Sequence, residues 1–277
     1  MKIKTGTVIT GLLAAWTAWA PMAQAAPDRI KFLEGEAATA TLTQAELDEK
    51  PQGYLPSGAP DIVASLMPSP ELDSVIDKAD VALFREINTN AGASRWQTAT
   101  DDDASVYDRF AVALGVMPDR AHLPTLVRLL NRVADDTLAI TGEAKKRFTR
   151  PRPYQRIALK RVCGFATPPK SEASPTKGSS YPSGHASVSW AVALVMMEVA
   201  PANAQALIGR AVSYGNSRVV CGLHFPADIE AGHFVGAAVV SKLFSDPAFR
   251  RDLQCAKREY NAVAAGEKSA DLAACPF

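Results

Sequence analysis

The most regular feature of the chain is a recurrence of apolar positions three and four residues apart. Leu72, Val75, Ile76, Ala79, Leu83 and Ile87 share one helical face, with Ser69 as an N-cap and Pro70 in the first turn. Similar stripes run over 105–115, 123–148, 184–199, 202–215 and 224–262, the last with a break at Pro247. Strand-like alternation is nearly absent and no internal repeat is present, so the pattern predicts an all-α fold. Residues 26–70 are rich in Pro, Ala and Gly and predict an extended arm over a core, with one short helix near 43–49. Between Pro153 and Pro182 the run FATPPKSEASPTKGSSYP cannot hold a helix and predicts a loop at the rim of a site.

Composition narrows the setting. With 277 residues, 47% hydrophobic and 21% charged, the chain suits a globular domain rather than disorder. Lys2 and Lys4, an apolar run from Val8 to Ala20 and the small-x-small Ala23-Gln24-Ala25 predict a cleaved export signal over residues 1–25, and with it a periplasmic protein. That run and the uncharged Ala186–Met197 both fall short of the roughly 18 to 20 apolar residues that span a bilayer, so no membrane insertion of the mature chain is expected. Without the signal's two lysines, Lys plus Arg falls from 30 to 28 against 29 acidic residues, a formal net charge of −1. That balance offers no attraction to nucleic acid. Four cysteines in an exported chain favour two disulfides, and no C-x-x-C spacing suggests a metal site. Adjacency along the chain, out of three connectivities, pairs Cys163 with Cys221 and Cys255 with Cys275.

Three stretches could carry chemistry. KKRFTRPRP, residues 145–153, puts Lys145 and Arg152 seven residues apart; alone, it is more often a solvated basic face and decides nothing. Pro182-Ser183-Gly184-His185 opens an apolar helix, where free backbone N–H groups and the helix dipole favour an anion; its plain reading is a serine cap, a turn glycine and an incidental histidine. In SRVVCGLHFPAD, residues 217–228, His224 and Asp228 are spaced i, i+4, so the carboxylate could fix the imidazole tautomer or merely decorate a surface turn. The leftover His122 and His233 have no neighbours at ligand spacing and are expected to be structural.

Read in order, Lys145-x6-Arg152-Pro153, Pro182-Ser183-Gly184-His185 and Ser217-Arg218-x5-His224-x3-Asp228 resemble the three-part signature of the type 2 phosphatidic acid phosphatase (PAP2) superfamily. That superfamily groups bacterial class A non-specific acid phosphatases with lipid phosphatases and vanadium haloperoxidases. Every fixed position is matched, and the register excludes Arg150-Pro151, which has Glu143 seven residues back. The likeness to class A acid phosphatases extends to the YLP at 54–56 and covers most of the mature chain. His233 departs from it by standing in place of an arginine, and Cys255 and Cys275 fall outside it.

The resemblance implies a single-domain helical bundle of the PAP2/haloperoxidase type over 26–277. It implies a metal-independent acid phosphatase without a cofactor, acting on small-molecule phosphomonoesters through a phosphohistidine. His224 would attack phosphorus, Asp228 would hold the proton on the other ring nitrogen, and His185 would protonate the leaving oxygen. Lys145, Arg152, Arg218, Ser183 and the Gly184 N–H would cradle the phosphoryl oxygens. Activity would need His224 neutral and His185 protonated, giving a bell-shaped profile on the acid side. The alternatives are a vanadium-dependent haloperoxidase or a phosphotransferase using the same anion pocket; a homo-oligomer is left open. A lipid phosphatase would bring several membrane-spanning helices, and a phosphate-binding module would need no nucleophile–acid pair.

Overall fold

The computed structural model describes residues 26–43, 52–56, 59–166, 178–267 and 275. The expected signal over 1–25, the short helix near 43–49 apart from Thr43, and most of the Pro-rich loop lie outside them. The regular structure of the described residues is helical throughout. The helices are α1 Ala26–Glu34, α2 Glu36–Thr41, α3 Pro60–Ser65, α4 Val75–Asn90, α5 Ala93–Asp101, α6 Val106–Leu114, α7 Pro124–Arg147, α8 Pro153–Arg156, α9 Gly184–Val199, α10 Ala204–Val220, α11 Pro226–Leu243 and α12 Pro247–Ala264. The break expected at Pro247 separates α11 from α12, where Asp246 caps the new helix by accepting from Phe249 N at 2.8 Å. No described helix is long and apolar enough to cross a membrane.

Helix α9 is apolar on every side and therefore occupies the centre, packed against α7, α10, α11 and α12. Val188, Val192, Val195 and Met196 are wholly buried along it. Helix α11 comes closest at Gly232 and Gly236, where a Cβ would lie 2.8 Å from Ser183 O and 2.6 Å from Ser187 O. The bare backbone there lets the starts of α9 and α11 meet, and Ser183 N donates to Asp228 O at 2.9 Å. Both expected disulfides are formed, Cys163–Cys221 and Cys255–Cys275. The first ties the loop after α8 to the end of α10, just ahead of His224, and Cys163 N donates to Cys221 O at 3.1 Å.

Two expectations are corrected. The arm is helical over most of 26–41 rather than extended, because α1 can bury Leu33 and because the buried Glu34 takes two hydrogen bonds from Arg120, at 2.7 and 2.9 Å, and one from Asn131 at 2.8 Å. Helix α4 starts at Val75 with Ser74 as its cap, not Ser69, and it is turned inside out. Leu72, Val75, Ile76 and Leu83 face outward, while Asp77, Asp80 and Phe84 are buried. The reason is electrostatic: Asp77 and Asp80 are held inward by Arg150 and Arg156.

Candidate active site

Three chain segments converge where α9 and α11 begin. The 148–152 segment is laced to the 179–181 segment: Arg150 N donates to Ser179 Oγ at 3.0 Å and Ser180 N to Arg150 O at 2.8 Å. The third, the turn leaving α10, is closed by Arg218 O, which accepts from Leu223 N at 3.1 Å and His224 N at 3.3 Å. All eight residues singled out in the sequence meet here.

Ser183 caps α9, its Oγ accepting from Ala186 N at 3.4 Å, and Gly184 occupies the first helical position, where a helix supplies no partner for the N–H. Lys145, in the last turn of α7, donates to Ser179 O at 2.5 Å. Burial, with Arg152 beside it, brings its pKa down to about 7. One Arg152 terminal nitrogen donates to Leu223 O at 2.9 Å and lies 3.1 Å from His224 Nε2. Arg218 is 3% exposed, and its Nε is buried with no hydrogen-bond partner. A terminal nitrogen of the same guanidinium is 2.7 Å from Asp103 Oδ1 but out of line for a hydrogen bond. A buried cation with an unspent donor suits an anionic ligand.

The expected i, i+4 turn for His224 and Asp228 is replaced by a helix entry. His224 precedes α11, and Asp228 reaches back from its third position to accept from Phe225 N at 2.8 Å. His224 Nδ1 faces Asp228 Oδ2 at 3.5 Å and Ser180 Oγ at 3.4 Å, while Ser180 Oγ donates to the same carboxylate oxygen at 2.6 Å. Nε2, beside an arginine that can only donate, is the unprotonated nitrogen. Burial and Arg152 lower the His224 pKa to about 3 against the pull of Asp228. Burial alone would raise the Asp228 carboxyl, but His224, Arg150 and Ser180 outweigh it and hold it at about 2.

His185 lies between the Phe32 ring, edge-on with centroids 4.7 Å apart, and the Tyr214 ring, near-parallel at 6.4 Å. Burial, then Arg218, His224, Arg152 and Lys145, push its pKa well below the ordinary imidazole value. Repulsion from the cradle's cations thus disfavours the imidazolium that the expected proton donation requires. Among the described residues no three His, Cys, Asp or Glu side chains converge as a metal site would require. His233 stacks on Trp190 at 4.0 Å, and His122 pairs with Asp119 on the surface, both away from the cradle's hydrogen bonds.

Sequence reasoning missed Ser180, Asp103 and above all Arg150. Arg150 belongs to the Arg-Pro pair that the spacing to Lys145 excludes, yet it donates to Asp228 Oδ1 at 2.7 Å.

Residues 128–251, which contain all eight positions, match the family described as the PAP2 superfamily. The chain is 33% identical over 198 residues to an acid phosphatase of Zymomonas mobilis, covering 70% of this chain and 73% of that protein. It is 33% identical over 209 residues to a non-specific acid phosphatase of Providencia stuartii, covering 74% and 82%. With the non-specific acid phosphatase of Salmonella typhimurium it shares 32% over 201 residues, 71% and 78% of the two chains.

Proposed function

Because the chain belongs to the PAP2 superfamily and is a phosphomonoesterase of its class A acid phosphatases, we propose that it works as an exported, metal-independent enzyme that passes the phosphoryl group through His224. The observation that carries this reading is the pairing of an Nε2 that faces an arginine donor with a buried Nδ1–carboxylate contact, beside Arg218's unspent donor. Lys145, Arg152 and Arg218 neutralise the phosphoryl oxygens, with Ser183 Oγ and the Gly184 N–H completing the cradle.

In the first step His224 Nε2 forms a bond to phosphorus as the bond to the leaving oxygen breaks, and His185 delivers a proton to that oxygen. Asp228 stabilises the positive ring that results. Water then attacks phosphorus and gives its proton to His185, and the N–P bond breaks to return His224 neutral. Burial and the cradle's cations disfavour a proton on His185, and the bound phosphate dianion offsets those cations. The substrate itself therefore charges the acid.

The test of the reading is hydrolysis of simple phosphomonoesters in EDTA. Full activity with competitive inhibition by vanadate is expected; activity lost in EDTA and restored by a divalent ion overturns metal independence. A periplasmic address is part of the same proposal, supported by the signal pattern of residues 1–25.

The pH dependence follows from Lys145. Below its pKa of about 7 the ammonium is charged and holds phosphate; above it the charge is lost. We expect kcat/KM to fall about tenfold per unit on the alkaline side. The kcat limb should lie at higher pH, because bound phosphate stabilises the ammonium. Lys145→Arg, which stays charged, should move the kcat/KM limb upward whatever it costs in absolute rate. An unmoved limb would assign it to another group.

A further inference from the structure

Arg150 stands outside the eight residues of the cradle and the histidine pair, yet it is 4% exposed and surrounded by carboxylates. One terminal nitrogen donates to Asp228 Oδ1 at 2.7 Å; the other donates to Asp77 Oδ1 at 3.0 Å and Asp80 Oδ2 at 2.7 Å. Its guanidinium carbon lies 4.3 Å from the centroid of the Phe225 ring, on the residue next to His224. We propose that Arg150 is a positioning residue, which, braced on the acidic inner face of α4, keeps the Asp228 carboxylate charged and turned toward His224. The proposal rests on the reading of His224 as nucleophile.

Three observations support it. Arg150 occupies Oδ1, so the carboxylate is oriented with Oδ2 toward Ser180, Phe225 N and His224. The brace is itself fixed: Arg156 binds Asp77 through two hydrogen bonds, at 2.8 and 2.6 Å, and Asp80 Oδ1 accepts from Ala227 N at 3.0 Å, tying α4 to the entry of α11. Finally, α4 keeps these aspartates inside while Val75 and Ile76 stand 84% and 69% exposed, an arrangement that apolar burial alone would reverse. A purely structural ion pair could be exchanged for apolar packing, but this one ends on the carboxylate that faces the reacting imidazole.

The charges facing Asp228 set the sign of the test. Arg150 is adjacent, with Lys145 from α7 and Arg152 from the start of α8 acting at longer range. Asp80 from α4 opposes them, with Asp77 beyond it held by Arg156; His224 and the Tyr181 hydroxyl complete the set. Removing Arg150 makes Asp228 easier to protonate, and removing the Asp80 charge makes it harder.

The experiment compares wild type, Arg150→Gln, Arg150→Lys and Asp80→Asn on an activated aryl phosphate, with melting temperature, inorganic phosphate inhibition and the full kcat–pH profile measured for each. Arg150→Gln should lower kcat on the order of 10- to 100-fold, by analogy with the loss when the partner that orients a metal-bound imidazole is removed. Its acid limb should move to higher pH, while the phosphate inhibition constant changes less than about threefold because the cradle is intact. Arg150→Lys should return the limb toward wild type by restoring the charge, without restoring kcat. Asp80→Asn should shift the limb the opposite way, and decides the matter should both Arg150 variants fail to fold. Variants that only melt earlier, with unchanged kcat per folded molecule and unmoved limbs, overturn the proposal. A wild-type enzyme that forms no phosphohistidine fails the underlying reading instead.

Discussion

Replacing His224 with alanine is expected to remove turnover of every phosphomonoester and to leave no acid-labile phosphoprotein on rapid quench. The loss should be on the order of 10⁴-fold or more, the scale seen when a covalent nucleophile is deleted from an otherwise complete site. The nearby hydroxyls and amine are otherwise engaged. Ser180 Oγ is hydrogen-bonded to Asp228, Ser183 Oγ caps α9, and Lys145 is needed as a cation. The side chain is 3% exposed beside a helix entry fixed by Asp228 through Phe225 N, so the smaller residue should leave the fold and both disulfides in place. Quenching after a short incubation with a radiolabelled phosphate donor should give wild-type label that is stable to base and lost in acid. Label of that kind on the His224→Ala protein would remove His224 from its role.

The same sequence made some of this geometry legible and hid the rest, for identifiable reasons. Helical periodicity states which residues share a face; it does not state which face turns inward. For α9, apolar all round, the question does not arise, and its place at the centre could be read directly. For α4 the apolar stripe pointed to Val75, Ile76 and Leu83 as core, and two arginines more than 60 residues away along the chain reversed it. Such a pairing has no local spacing to betray it.

The eight residues of the cradle and the histidine pair were visible because each lies in a short segment with fixed internal spacing, and the structure brings all three segments together. Arg150 shares a segment with Arg152, but only one of the two Arg-Pro pairs fits the spacing to Lys145, and that spacing excludes Arg150. Its significance lies in what it touches: Asp77 and Asp80 from α4 and Asp228 from α11. Ser180, between His224 and Asp228, is likewise recognisable only once the 179–181 segment is folded against the start of α11. The i, i+4 spacing of His224 and Asp228 located the pair but suggested the wrong local structure, since Pro226 opens the helix between them.

His185→Ala should separate the two histidines by the chemistry of the leaving group. An activated aryl phosphate departs without a proton, so His224 should still be phosphorylated in this variant, and the released phenol should appear as a burst close to the enzyme concentration. The steady state that follows should be slow, because the water that breaks the N–P bond has lost its base. An alkyl phosphate needs its oxygen protonated as it leaves, and its phosphorylation step should fall on the order of 10²- to 10⁴-fold, the range general acid catalysis supplies. Inhibition by inorganic phosphate should persist and strengthen modestly, since the cradle's cations are untouched and an imidazole between Phe32 and Tyr214 makes way for a methyl group. The sign is opposite to that of a cradle mutation, which weakens phosphate binding. Rapid-mixing measurements on both esters provide the check. Equal losses on the two, with no burst from the activated one, would mean that His185 acts before proton transfer matters and would refute its assignment as the acid.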